Sequence, residues 1–256
     1  MNRREMLRTG GNILAGLTVF GTAAAHASDA FTGAAERPRK KILAIGAHPD
    51  DNESSCGGTL ARLAAEGHEV VSVYFTRGER GIKGTAMDEA ASIRTQEAIE
   101  ACRLIGIRPV FMTQIDGGCE IVPERYQEMT DLIMREKPDI VFTHWPIDTH
   151  RDHAICSILV FDTWKKTGCF FDLYYYEPMM GNQAQNFHPS DYVDVTDYEE
   201  IKRKMCYCHK SQGPLRWYDG YHIKMMEFRG MEMGIKYAEG FVRVWQGPSR
   251  ELPGLK

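Results

Sequence analysis

Apolar runs and amphipathic stretches alternate along most of this chain. Lys41–Ala47 (KILAIGA) is apolar after its first residue, as expected of a strand buried on both faces. Beyond a polar loop and Gly57-Gly58, Thr59–Glu66 reads as a short helix closed by Gly67. Glu69–Thr76 is a second strand, Arg77–Thr85 a charged glycine-rich loop, and Asp88–Ile105 a long amphipathic helix ended by Gly106. Pro109–Met112 is a short third strand. Pro123–Lys137, which opens on proline and charge, is a helix. Asp139–Thr143 is the fourth strand, and the loop His144–Arg151 leads into a helix from Asp152 to Lys166. Leu173–Tyr176, Tyr192–Val195 and Phe241–Trp245 read as further strands, with helical stretches at Tyr198–Lys210 and Tyr218–Tyr237. Strands alternating with helices predict an α/β fold, a mostly parallel sheet covered on both faces, in a single domain over residues 41–256.

The N-terminus departs from this pattern. Arg3-Arg4, an apolar run from Ile13 to Ala25 and the small residues Ala25-His26-Ala27 follow the order of a cleavable export signal. The string Asn2–Arg8 (NRREMLR) resembles a twin-arginine signal. The expectation is therefore a signal over residues 1–27, a tether over 28–40 and a protein placed in the periplasm or outside the cell. The apolar run is short and broken by glycines, so a membrane-spanning anchor fits it less well. Residues 1–27 carry three arginines and one glutamate, so the remainder is more acidic than the whole chain's net charge of −4. That balance argues against nucleic acid or an anionic membrane as a partner. The seven cysteines form no small-scaffold disulfide framework. Cys206-Tyr207-Cys208-His209 is too tightly spaced for the usual zinc pairings and reads as ordinary thiols on a helix.

The residues that carry chemistry sit in two loops. One is His48-Pro49-Asp50-Asp51 after the first strand; the other is His144–His153 (HWPIDTHRDH) after the fourth. In a doubly wound sheet ordered 3-2-1-4-5, strands one and four are neighbours where the order reverses, and ligands bind outside the carboxyl ends of the strands there. One imidazole and two carboxylates would thus meet two or three imidazoles. Three ligands of His and Asp type with an open position for water describe a catalytic zinc site. Such a donor set also holds Fe²⁺. Each loop alone has a plainer reading: His-Pro-Asp as a turn, and Asp152 as an N-cap. A nucleotide-binding reading fails, because Gly46–Asp51 lacks the G-x-G-x-x-G pattern.

Ala47-His48-Pro49-Asp50-Asp51-Asn52-Glu53, followed by Gly57-Gly58-Thr59-Leu60, resembles the signature of the PIG-L / LmbE-like deacetylases. His150-Arg151-Asp152-His153 is similar to that family's H-x-D-H motif. Thr76–Glu79, Arg94 with Glu97, His209–Gln212 and Tyr237–Glu239 are similar to its supporting motifs. The resemblance implies a Rossmann-like (LmbE-like) three-layer fold with its active site at the carboxyl ends of strands one and four. It implies hydrolysis of the N-acetyl group of an N-acetylglucosamine-containing substrate.

The resemblance also implies roles. His48, Asp51 and His153 would hold Zn²⁺, or Fe²⁺ in its place. Asp50 would be the general base. A protonated His150 would face the carbonyl oxygen, and Asp152 would orient an imidazole. Arg94 and, after the third strand, Asp116 would touch substrate, while Glu53 and Gln212 would support the ligands from behind. Trp145 and Tyr174-Tyr175-Tyr176 are candidates for a sugar-stacking wall, with core packing as the commoner fate of such residues. The alternatives are an amidase for a different N-acylated sugar or thiol conjugate, and a non-catalytic metal- or sugar-binding module.

Overall fold

The computed structural model describes residues 38–246 and 248; the expected signal and nearly all of the tether lie outside them. Seven strands form one sheet in the order β3-β2-β1-β4-β5-β7-β6. The first five are β1 (Lys41–Gly46), β2 (Glu69–Tyr74), β3 (Arg108–Phe111), β4 (Ile140–His144) and β5 (Asp172–Tyr176), all parallel. β6 (Asp191–Asp194) and β7 (Ala238–Arg243) complete the sheet, with β7 antiparallel to both its neighbours. The helices are α1 (Asp51–Ala65), α2 (Met87–Leu104), α3 (Pro123–Glu136), α4 (Arg151–Lys166), α5 (Glu199–Cys208), α6 (Pro214–Trp217) and α7 (Ile223–Met233).

β1 explains why the sheet has two covered faces. Its side chains alternate, so Ile42 and Ala44 pack with Leu60 and Leu63 of α1 and Ala98 of α2. Leu43 and Ile45 pack on the other face with Leu132 and Ile133 of α3 and Ile155 and Leu159 of α4. Each of the leucines and isoleucines among them, fully buried, contributes about 1.5–3 kcal/mol. The strand order reverses at β1, which pairs with β2 on one side and β4 on the other. The crevice at the carboxyl ends of β1 and β4 follows from that reversal.

Three elements differ from the sequence expectation. α1 begins at Asp51, directly after the HPD turn, and Gly57-Gly58 lie inside it. The helix kinks at Cys56 (φ −131°, ψ 17°), and the carboxylate of Glu239 accepts the freed N–H groups of Gly58 (2.9 Å) and Thr59 (2.7 Å). A Cβ on Gly58 would stand 3.1 Å from Glu239 Oε1 and 2.8 Å from Val195 Cβ, so glycine permits that approach. The helical stretch expected at Tyr218–Tyr237 is divided into a π-helical turn, Tyr218–His222, and α7. The last strand lies earlier than expected, at Ala238–Arg243, because its pairing with β6 starts at Ala238.

Candidate active site

The turn at the end of β1 is strained. Asp50 has φ 114°, a left-handed conformation costly for a non-glycine residue, and it precedes the first turn of α1. Two contacts hold it there. The guanidinium of Arg94 lies 3.2 Å from Asp50 Oδ1 and also donates to the carbonyl of Pro49. Arg94 is 3% exposed, and the glycine loop after β2 presses on it: a Cβ on Gly81 would fall 2.2 Å from its Nη1. The structure therefore places Arg94 behind the loop rather than on a solvated helix face. Burial raises the Asp50 carboxyl above its ordinary value; Arg94 works against that rise and Asp51 adds to it.

Asp51 is the hub of the cluster. Its Oδ2 accepts the His48 backbone N–H (2.6 Å) and lies 3.3 Å from His48 Nδ1, and its Oδ1 lies 3.4 Å from His153 Nε2. Burial opposes its charge, yet His153 and His144 hold its carboxyl well below the usual carboxylate range. His153 is correspondingly pushed up to about 9: burial lowers it, and Asp51 and Asp148 outweigh burial.

The remaining ring nitrogens show how the imidazoles are aimed. His48 Nε2 faces Asp116 Oδ1 (3.2 Å) and Asp152 Oδ2 (3.3 Å), while His153 Nδ1 faces Asp148 Oδ2 (3.0 Å). A metal-ligating imidazole has its far nitrogen held by a carboxylate or carbonyl in the same way. Donor atoms around a tetrahedral ion with bonds of ~2.0–2.1 Å stand about 3.3 Å apart. The Asp51–His48 and Asp51–His153 separations each match that edge, the first through Oδ2 and the second through Oδ1 of the carboxylate.

The structure also brings forward residues that the sequence reading did not single out. His144, at the end of β4, has Nε2 3.2 Å from Asp51 Oδ2, and its ring stacks on His153 at 3.8 Å. Among the described residues, Asp51-His144-His153, His48-His150-His153 and His48-Asp116-Asp152 are the groups whose ligand atoms lie close enough to share an ion. His144 differs from His48 in one respect. Its Nε2 accepts the Ala47 N–H (3.0 Å) and its Nδ1 has no partner, so no carboxylate backs it. Burial, with the charge of His153, pushes it down to about 4. Asp148 is the second addition. Both residues lie in the same His-rich loop, and that richness was the available signal.

The other expected site residues find definite places. His150 is the N-cap of α4; its Nδ1 accepts the Asp152 N–H (3.3 Å). Burial, with His48 and His153 nearby, lowers its pKa, which favours the neutral ring, and an Nδ1 that accepts the Asp152 N–H leaves Nε2 to carry the proton. Asp152 accepts the Gly117 N–H (2.6 Å) and faces His48. Asp116, expected to touch substrate, is turned onto His48 Nε2, because its backbone and side chain are tied to Glu79 (3.0 Å) and the Arg80 N–H (3.2 Å). Glu53 lies fully buried, accepting from Tyr74 and facing His209 Nε2 at 3.4 Å. Gln212 donates to the Gly81 carbonyl (3.3 Å) and lines a cavity of about 210 Å³ together with Asp50, Asp51, His153, Trp217 and His222. Tyr174, Tyr175 and Tyr176 are buried in the core, and Trp145 donates its indole N–H to Gln185. Neither the tyrosines nor Trp145 lines that cavity. The aromatic wall is Trp217, which gave no periodic or motif signal.

Comparison with known proteins agrees with this geometry. The family model for GlcNAc-PI de-N-acetylase (PIG-L) matches residues 43–164, from β1 through most of α4. The conserved protein TT1542 of Thermus thermophilus is 31% identical, with a TM-score of 0.69 over 79% of this chain and 94% of its own. This chain belongs to the PIG-L family. Within that family it is similar to the diacetylchitobiose deacetylase of Thermococcus kodakarensis, 28% identical over 84% of each chain. It is also similar to the 4-oxalmesaconate hydratase of Pseudomonas putida, 24% identical over 84% of this chain and 93% of that one. Both HPDD and HxDH lie inside the segment matched by the PIG-L model.

Proposed function

We propose that the protein is a metal-dependent hydrolase that removes the acetyl group from an N-acetylglucosamine-type substrate, releasing acetate and a free amine. The observation that carries this reading is a half-buried carboxylate, Asp50, held beside a three-donor cluster on the wall of a cavity. His48, Asp51 and His153 would hold the ion, since each imidazole has its far nitrogen on a carboxylate. When bound, Zn²⁺ supplies a Lewis acid and a water whose pKa is brought towards ~7. Asp50 accepts the proton of the attacking water, and its raised pKa brings it closer to the working range of a general base. His150 donates from Nε2–H to the acetyl oxygen as negative charge develops there. Asp50 then returns its proton to the leaving nitrogen. Arg94 keeps the Asp50 carboxylate aimed, and Asp116 and Asp152 fix the tautomer of His48.

The hydratase relative marks the other chemistry the fold carries. Its substrate is by name the anion of a carboxylic acid, and the lining of the cavity contains no lysine or arginine. That favours an uncharged amide over a carboxylate. Incubation of the zinc-loaded protein with a panel of N-acetylated amino sugars, longer N-acyl analogues and an unsaturated carboxylate tests the reading. Acetate release from the sugars supports it; hydration of the carboxylate without acetate release overturns it. We also propose export, supported by the twin-arginine-like string at Asn2–Arg8. No helix among the described residues is long and apolar enough to cross a membrane. Cell fractionation tests this proposal: recovery in the cytoplasm with residues 1–27 retained would overturn it.

A further inference from the structure

The cavity beside Asp50 has a wall that the chemistry above leaves unused. Its residues come from α6 and the π-helical turn that follows. Trp217 donates its indole N–H to the carbonyl of Gln212 (3.1 Å), which fixes the ring, and its centroid lies 4.8 Å from that of His222 at an interplanar angle of 47°. His222 lines the same cavity and is 4% exposed. Its Nδ1 is shielded from solvent and has no hydrogen-bonding partner. Leaving such a group unpaired costs about 1–3 kcal/mol. Packing around a structural histidine normally satisfies both nitrogens. Burial, with the charge of Lys202 behind it, pushes His222 down to about 3, so the ring is neutral across the physiological range. Single π-helical turns also concentrate at functional sites.

The segment after β5 adds Pro178 and Met180 as apolar lining. It also adds Gln183, whose Nε2 lies 3.0 Å from Asp148 Oδ1 and 3.1 Å from His153 Nδ1. The wall is thus an aromatic ring, two apolar side chains, an amide and a neutral imidazole, with no cation. The volume of about 210 Å³ falls below the roughly 300 Å³ at which drug-sized pockets begin, which suits one ring and its acetamido group.

We propose that Trp217 and His222 form a binding subsite for one uncharged, hydroxyl-bearing ring, with the indole against its apolar CH groups and the edge of the His222 ring that lines the cavity against a hydroxyl. The placing of the ring's acetamido group at Asp50 rests on the deacetylase reading; the subsite itself does not need turnover. A substrate carrying phosphate on that ring has no partner there. His222 is accordingly a specificity residue for the unmodified ring.

Calorimetric titration of N-acetylglucosamine and of its 6-phosphate into the zinc-loaded full chain tests the subsite. The neutral sugar binds more tightly than the phosphate. His222→Ala weakens the neutral sugar about tenfold, the loss of one hydrogen bond. His222→Asn, which keeps a polar side chain at this position, stays within about threefold, and Trp217→Leu loses about tenfold. In turnover, His222→Ala raises KM and leaves kcat within about twofold. Unchanged affinity in both His222→Ala and Trp217→Leu overturns the subsite. So does equal weakening in His222→Ala and His222→Asn with a matching fall in Tm, or tighter binding of the phosphate, or no binding of either sugar by the unmutated protein. Tight sugar binding without acetate release sinks the deacetylase reading alone; acetate release with an unchanged KM in His222→Ala sinks the subsite alone.

Discussion

Two clusters of buried charge border α1, and they are built on opposite plans. Lys202 and Glu239 are both 0% exposed, with Nζ–Oε1 at 2.6 Å, and the carboxylate also accepts two backbone N–H groups at the helix kink. That cluster closes on itself. At the other, Asp51 gathers His48, His144 and His153 around one carboxylate, and the outer nitrogens of His48 and His153 are held by Asp116, Asp152 and Asp148. There the acids and imidazoles converge from several elements on one small volume, as a cation would require. The difference teaches that burial of charge alone does not mark a site. A pair that satisfies itself is architecture; donors aimed at a common point, backed by carboxylates and open to a cavity, are chemistry.

The comparison breaks first at Lys202. Lys202→Met strands the Glu239 carboxylate in the core and is expected to lower stability by about 3–5 kcal/mol, read by denaturant unfolding. Activity per folded molecule should stay within about twofold, and a far larger loss in a folded variant would show that the closed cluster is catalytic after all. Asp148→Asn comes next. It weakens the carboxylate behind His153 and should reduce metal affinity about 10- to 100-fold in a competitive chelator titration, with little change in Tm of the metal-free protein. Unchanged affinity would mean that His153 is not oriented through Asp148.

The third effect is a slope in pH, small over any one pH unit. His222 is held neutral, with its pKa lowered from 6.5 to about 3. Between those values the unfolded chain binds the proton and the folded chain does not. Stability contributed by the neutral ring is therefore whole above about pH 6.5 and falls as pH drops towards 3, by up to about 1.4 kcal/mol per pH unit. Unfolding free energies of His222→Asn across pH 4–7 should show a shallower fall than the unmutated protein. Identical slopes would contradict the buried neutral imidazole.

Much of this arrangement was legible in the sequence, for reasons that local physics explains. The apolar runs of β1, β2 and β4 are dictated by burial on both faces, and right-handed crossovers leave few ways to order them. The order 3-2-1-4-5, which the sheet has, puts HPDD and HxDH side by side. What could not be read was decided by long-range contact. Gly57-Gly58 looked like a helix boundary, and only Glu239, some 180 residues away, allows the helix to run through them. Arg94 had a role only through the resemblance, because its partners, Asp50 and the carbonyl of Pro49, lie on another element. His144 and Asp148 stood in a loop already crowded with candidates, and spacing does not say which ring has a carboxylate behind it. His222 lies in a stretch that reads as plain helix, where a π turn leaves no local mark, and Trp217 stands just before that stretch.

The central claim is that Asp50 reacts while His48, Asp51 and His153 bind. It is tested most directly by measuring metal content and acetate release on the same preparation of Asp50→Ala, with N-acetylglucosamine conjugates as substrate. Loss of a general base should slow release by about 10²–10⁴-fold. One equivalent of bound metal per chain is expected together with that loss. Full activity in this variant, or loss of the metal along with the activity, would contradict the claim.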